Sequence, residues 1–243
     1  ISHTGSMAGA KELYQALFER TGVISVTNPS QLLETLKYLC IVKPPKGPKI
    51  AGFTCSGGGA TMLADYAETI GLEFPAFDPE TTQELVQALP PIATVSNPLD
   101  YTTPIWGQPE YTGPVFHKAL DMAKVDAAIL VQDYPALGLD ESKIYYQNDA
   151  NAFATAARAA NIPAAICSTL PENIDEETRA FLIAAGVAPM QGIHETLDAV
   201  AHAAEWTQQQ SKILSSPFQP LQTPKPMATS KPISEVDGKA VLR

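Results

Sequence analysis

Five consecutive apolar residues, Ala127-Ala128-Ile129-Leu130-Val131, carry no charge and no polar alternation. A run of this length without alternation reads as a strand buried on both faces. Ile50-Ala51-Gly52-Phe53-Thr54 and Pro163-Ala164-Ala165-Ile166-Cys167 have the same character. Helical periodicity fills the intervals. One helix follows Ser56-Gly57-Gly58-Gly59, carries Met62, Leu63, Tyr66, Ala67 and Ile70, and is closed by Gly71. Others are expected near 80–89, with Leu85, Val86 and Leu89 inward, near 115–123, over the alanine-rich 149–160, over 175–185 up to Gly186, and over 194–206. Parallel neighbours need a crossover helix, so alternating strands and helices imply a doubly wound parallel sheet. The expectation is an α/β domain, flavodoxin-like or Rossmann-like, from about Pro48 to Gln208.

Outside that span the pattern changes. Residues 10–20 read as a helix with Leu13, Leu17 and Phe18 on one face. A second helix is signalled by Asn28 as cap, Pro29 in the first turn and Gln31 three residues past the cap. Its apolar face is expected to carry Leu32, Leu36, Leu39 and Cys40. Lys43-Pro44-Pro45-Lys46-Gly47-Pro48 then reads as a domain boundary. Beyond Trp206, Gln208-Gln209-Gln210 leads into Pro217, Pro220, Pro224, Pro226 and Pro232, a semi-extended linker over 209–232. Residues 233–243 turn helical again and stop mid-pattern, so the chain is expected to be a fragment of a longer protein.

Charge excludes some partners. With 16 basic against 26 acidic residues the chain has a net charge of −10. That leaves no basic stripe for nucleic acid and no attraction to anionic membranes. No run of 18 apolar residues is present, and the first residues do not read as a signal peptide. Cys40, Cys55 and Cys167 are too scattered for a disulfide framework, and no Cys/His spacing fits a metal. A cytoplasmic protein with reduced thiols is expected. Net negative charge still permits an anionic ligand, because helix N-termini bind phosphate through backbone N–H groups.

The glycine loop is the place for such a ligand. Cys55-Ser56-Gly57-Gly58-Gly59-Ala60-Thr61 joins a strand to a helix at the carboxyl edge of the sheet, where first-turn N–H groups lack partners. No lysine follows, so it is not a Walker A loop. Gly57 and Gly59 fit the first two glycines of a dinucleotide fingerprint, Met62 replaces the third, and Asp78 stands near the position of a ribose-binding acid. A turn that needs glycine for geometry alone is a further reading.

Three motifs appear together. Ser2-His3-Thr4-Gly5-Ser6-Met7-Ala8-Gly9 is followed by a helix and Gly22-Val23-Ile24, then by the glycine loop, then by Asn97-Pro98-Leu99-Asp100. This series resembles the SHTGxxAG segment, glycine loop and NPxD turn of the NDP-forming acyl-CoA synthetases of the succinyl-CoA ligase superfamily, ADP-forming acetyl-CoA synthetase type. The resemblance covers most of the chain. It implies that residues 1–42 are the C-terminal part of a succinyl-CoA ligase-like α/β domain bearing the phosphohistidine loop, and that 48–208 are the flavodoxin-like CoA-ligase domain. It further implies that 233–243 open an ATP-grasp domain and that a CoA-binding domain lies upstream.

The implied reaction joins a carboxylic acid, CoA and ATP into acyl-CoA, ADP and phosphate through an acyl phosphate, with His3 carrying the phosphoryl group. Ser56, Gly57, Gly58, Gly59, Ala60 and Thr61 would hold that group. ATP or ADP with Mg2+ would be bound mainly by domains outside this chain, CoA would be a substrate, and a homo-oligomer is implied. A lyase or acyltransferase on the same scaffold, and a nucleotide-binding module without ligase turnover, are the competing functions. Asp100 is expected to fix its loop by side-chain-to-backbone bonds. Tyr101, Trp106 and Tyr111 follow it; they could line an acyl pocket or pack at a domain interface. His117, His194 and His202 have no pairing spacing and read as structural.

Overall fold

The computed structural model describes residues 10–122, 124–136, 138 and 140–216, and the isolated positions 222, 234, 237, 239 and 240. Five parallel strands form one sheet in the order β2-β1-β3-β4-β5: β1 (Ile50–Thr54), β2 (Leu99–Asp100), β3 (Ala127–Val131), β4 (Ala164–Ser168) and β5 (Ala188–Gln191). That is the flavodoxin-like order expected from the β–α rhythm. The three apolar runs became β1, β3 and β4, every residue of them buried. β2 and β5 were hidden in the sequence. β2 is only two residues long, and β5 carries Pro189, which an edge strand tolerates because one of its sides needs no donor.

Helices cover both faces. On one lie α4 (Pro79–Ala88), α5 (Pro109–Met122), α6 (Lys143–Ala159) and α7 (Glu176–Ala184), around a core that includes Leu85, Phe116, Phe153 and Leu182. Phe53 of β1 packs edge-on against both Phe116 and Phe153, with ring centroids 5.3 and 5.7 Å away. On the other face lie α2 (Pro29–Ile41), α3 (Gly57–Ile70) and α8 (Ile193–Ser215), around Tyr38, Leu63, Leu197 and Val200. Several boundaries differ from expectation. α5 begins at Pro109, because proline suits a first turn and Pro114 is absorbed inside the helix. Val86, expected inward on α4, is exposed while Leu85 and Leu89 are buried. α8 continues through Ser215, so residues 209–215 are helical where a linker was expected; glutamine and lysine are good helix formers.

The largest corrections fall before the sheet. α1 (Lys11–Thr21) buries no residue, and Leu13 and Leu17 point to solvent while Phe18 turns toward α8. The Asn28 cap of α2 forms as expected, its Oδ1 accepting from the Gln31 N–H at 2.9 Å. The face of α2 that packs inward, however, is polar. Glu34 accepts from the Gln191 backbone N–H (2.9 Å) and from Lys37 (2.7 Å), Thr35 meets His202 (3.2 Å), and Gln31 donates to Asp198 (2.6 Å). These satisfied polar contacts fix the helix, so Leu32, Leu33 and Leu36 are left exposed and only Leu39 of the expected stripe joins the core. α2 also places Tyr38 in that core, and the Pro-rich stretch 43–48 leads from it into β1.

Tyr38 supplies a test of this packing. Its hydroxyl is fully buried without a hydrogen-bond partner, and burial raises its pKa. Tyr38→Phe removes an unsatisfied polar group and keeps the ring. It is therefore expected to raise stability by about 1 kcal/mol, read as a higher denaturant midpoint at unchanged slope.

Candidate functional site

The doubly wound topology places its switch point at β1 and β3, and the loop leaving β1 is the glycine loop. α3 starts at Gly57 with Ser56 at the N-cap, and no side chain caps the helix. By helix geometry the N–H groups of Gly57, Gly58 and Gly59 have no acceptor within the helix. Ala60 differs, because its N–H already donates to the Ser56 carbonyl at 3.2 Å. Thr61 differs too: its hydroxyl donates back to the Gly57 carbonyl at 3.0 Å. The six-residue cradle read from the sequence thus narrows to three backbone donors and the Ser56 hydroxyl.

The three glycines are not equivalent. None has a positive φ, so a left-handed turn is not the reason for any of them. A Cβ at Gly59 would stand 2.7 Å from Thr54 Oγ1, a contact the packing forbids. At Gly57 and Gly58 the nearest atoms would lie 3.6 Å away, at ordinary contact distance. Geometry within the chain therefore explains Gly59 alone. Gly57 and Gly58 are exposed and leave their backbone open to a ligand or a partner.

The segment after β2 forms the neighbouring wall. Tyr101 N–H donates to the Thr54 carbonyl (2.9 Å), which ties this segment to the end of β1. Asp100 Oδ1 accepts from the Thr102 N–H at 2.9 Å, the side-chain-to-backbone bond expected of it. Its Oδ2 lies 3.6 Å from a Cβ built at Gly57, so a carboxylate stands beside the first turn of α3. Thr102 adopts φ 69, a strained conformation for a β-branched residue. Its Oγ1 and the Trp106 Nε1 are buried without a partner.

The aromatic grouping differs from expectation. Tyr101 is fully buried, stacked edge-on to Phe116, with its hydroxyl donating to Asp149 at 2.9 Å; it is a core residue and lines no pocket. Tyr111 is exposed on α5. Trp106 instead packs on Tyr145 and Tyr146 of α6, with Tyr134 behind. Asp149 is the residue the sequence did not announce. It is buried and accepts from Tyr101 and Thr112, and desolvation raises its pKa against those hydrogen bonds. Cys55 sits close by, its thiol pushed up first by burial and then by Asp149. A protonated thiol in an acidic setting is no nucleophile.

Other candidates resolve into structural roles. Asp78 caps α4 by accepting from the Thr81 N–H (2.8 Å) and lines a hollow with Lys49 and Lys124 at the opposite edge of the sheet, so it cannot serve a ribose at the glycine loop. His202 joins α8 to α2, His194 stacks on Tyr66 with ring centroids 4.0 Å apart, and His117 is exposed on α5. Among the described residues no group of three His, Cys, Asp or Glu side chains is placed to hold a metal, and no helix is long and apolar enough to cross a membrane. His3 lies outside the described residues.

Comparison with known proteins gives the site its context. A family model described as the succinyl-CoA ligase like flavodoxin domain matches residues 1–39. The chain is 34% identical over 111 residues to the alpha subunit of acetate–CoA ligase (ADP-forming) II from Pyrococcus furiosus, a stretch covering 45% of this chain and 24% of that protein. It is 36% identical over 99 residues to acetate–CoA ligase (ADP-forming) I from Archaeoglobus fulgidus, covering 41% and 14% respectively. The chain thus spans a quarter or less of these curated relatives. Among solved structures, a protein of Pyrococcus horikoshii OT3 superposes with a TM-score of 0.70 at 23% identity over 83% of this chain and 45% of that one. The dinucleotide-forming acetyl-coenzyme A synthetase 1 of Ca. Korarchaeum cryptofilum, in complex with phosphate and ADP, superposes with a TM-score of 0.69 at 21% identity, over 90% and 46%. At these identities the structural matches speak for the fold.

Proposed function

We propose that the chain belongs to the NDP-forming acyl-CoA synthetase and succinyl-CoA ligase superfamily, of the ADP-forming acetyl-CoA synthetase type, and that it is part of an acid–thiol ligase. The whole enzyme converts a carboxylic acid, CoA and ATP to acyl-CoA, ADP and phosphate. In this reading a neutral ring nitrogen of His3 attacks the terminal phosphorus of ATP; a P–N bond forms and the P–O bond to ADP breaks. The substrate carboxylate then takes the phosphoryl group from His3, and the CoA thiolate displaces phosphate from the acyl phosphate. Residues 1–42 carry the phosphohistidine loop as the end of a preceding domain, and 233–243 begin an ATP-grasp domain. That domain and a CoA-binding domain elsewhere in the protein hold the Mg2+-nucleotide and CoA.

The single observation that carries this role for the present chain is the uncapped start of α3, with Gly57 and Gly58 open for no internal reason. Phosphoryl transfer depends on positioning and on oriented dipoles, and three free N–H groups at a helix start supply both. Asp100 limits the arrangement, since its carboxylate shares the same helix-end field. The experiment is labelling of the intact protein with γ-labelled ATP and magnesium. An acid-labile, alkali-stable label is expected, absent from His3→Ala. Label retained in that variant sinks the assignment.

A further inference from the structure

The wall beside the glycine loop is held from behind by one carboxylate. Residues 101–108 run from β2 to α5 outside the sheet, and their fixed points lie on α6. Asp149 Oδ2 accepts from the Tyr101 hydroxyl and Oδ1 from the Thr112 hydroxyl, each at 2.9 Å, and the Gly107 N–H stabilises the same carboxylate. The preceding residue grips Gly107 from its other polar group, Asn148 Nδ2 donating to the Gly107 carbonyl at 3.1 Å. Gly107 has φ 74, and a Cβ there would stand 2.5 Å from Tyr145 Cβ, so the segment lies directly against α6.

Asp149 is wholly buried, and among the described residues no cation answers it. The titratable groups that face it are Tyr101 after β2, Cys55 after β1 and Tyr134 after β3, and none of them carries positive charge; α5 contributes only the Thr112 hydroxyl. Burial raises the Asp149 pKa above the ordinary aspartate value, and the bonds from Gly107, Thr112 and Tyr101 pull it back only in part. The folded chain therefore holds that proton more tightly than the unfolded chain does, and stability falls as the pH rises from the ordinary aspartate range through the raised value. A buried carboxylate that costs stability at neutral pH needs a reason outside folding.

We propose that Asp149 is a positioning residue for the glycine loop: its carboxylate fixes the Tyr101 hydroxyl and the Gly107 peptide, and through them the place of Asp100 beside the first turn of α3. The inference rests on the phosphoryl role proposed for that loop. Tyr101 stands between Asp100, whose Oδ2 faces Gly57, and Thr102, whose φ of 69 persists only while its surroundings over-determine it. With the Tyr101 hydroxyl released, Thr102 can relax and Asp100 moves with it, held to Thr102 by the 2.9 Å bond to its N–H. The Asp100 carboxylate then competes differently with a phosphoryl group for the field at the helix start.

The test measures labelling from γ-labelled ATP in single turnovers of the intact protein, beside its melting temperature. Asp149→Asn keeps the size of the side chain, removes the charge and turns an N–H2 group toward donors. Its melting temperature at neutral pH is expected to equal or exceed that of the wild type. Its labelling rate at saturating ATP is expected to fall by roughly 10- to 100-fold with the half-saturating ATP concentration unchanged, because the group is misplaced and not unbound. Tyr101→Phe, which keeps the ring in the core, is expected to slow labelling in the same sense by a smaller factor. Wild-type labelling rates in both variants overturn the proposal and leave the role of the glycine loop standing. A lower melting temperature in Asp149→Asn, with labelling slowed in step, also overturns it, since the carboxylate then serves the fold alone. If the wild type itself takes no label, the phosphoryl role of the loop is lost and the positioning role falls with it.

Discussion

Gly59→Val is expected to destabilise the fold by about 3 kcal/mol, while Gly58→Val, one residue earlier, leaves the fold intact and removes phosphoryl transfer. The difference comes from what each new side chain would meet. At position 59 the Cβ alone would come within 2.7 Å of Thr54 Oγ1 and 3.3 Å of Thr54 Cβ. Thr54 cannot retreat. It is the last residue of β1, in register with Asp100, and its Oγ1 accepts the Ser56 N–H at 3.2 Å. Valine adds two methyl groups to that collision. At position 58 the nearest atom is Ser56 Oγ at 3.6 Å, on an exposed turn, so valine fits and could gain a few tenths of a kcal/mol from the lost freedom of glycine. Its methyl groups would, however, cover the approach to the free N–H groups. Loss of roughly 100-fold or more in the rate of histidine phosphorylation is expected, the scale of one oriented donor. Melting curves and single-turnover labelling separate the two variants. Normal labelling in folded Gly58→Val removes the phosphoryl-binding role from this loop; a stable Gly59→Val shows that α3 can shift away from β1.

How much of this was legible beforehand depends on which physical signal each residue carries. Burial on both faces left its mark in Ile50–Thr54 and Ala127–Val131, so the central strands and the parallel topology could be read directly. The glycine loop was legible as a strand–turn–helix junction, but its internal economy was not. That Ala60 and Thr61 spend their donors inside the helix follows only from the hydrogen bonds. Asp149 gave no signal, because a single acid in an alanine-rich helix reads as a solvated face; its partners Tyr101 and Thr112 lie 48 and 37 residues away. α2 misled for the opposite reason. Its leucine spacing is a sound amphipathic pattern, and here the polar side packs inward through paired side chains while the leucines face out. Periodicity marks a face that must be covered without saying by what.

Asn97 carries the second large effect. β2 pairs with β1 only at Phe53 and Thr54, and at the start of that edge the Glu73 carbonyl accepts the Ile50 N–H at 2.8 Å, which leaves the Ile50 carbonyl and the Gly52 N–H to a side chain. The Asn97 side chain takes the strand's place. Its Oδ1 accepts from the Gly52 N–H at 3.0 Å, and its Nδ2 donates to the carbonyls of Ile50 and Pro75, both at 2.9 Å. One amide thus continues the ladder and pins the turn that leads to Asp100 and Thr102. Asn97→Ala leaves one donor and two acceptors unpaired in a half-buried setting, and a loss of roughly 3 kcal/mol is expected. Asn97→Asp should be at least as damaging at neutral pH, because a carboxylate can accept from Gly52 but faces two carbonyl oxygens with no proton to offer. Lowering the pH toward the carboxylate range should recover part of that loss, as the protonated acid regains one donor. Chemical denaturation of both variants at neutral and acidic pH checks the order. If aspartate matches asparagine at neutral pH, the side chain is not standing in for a strand, and the wall beside the glycine loop must be held by something else.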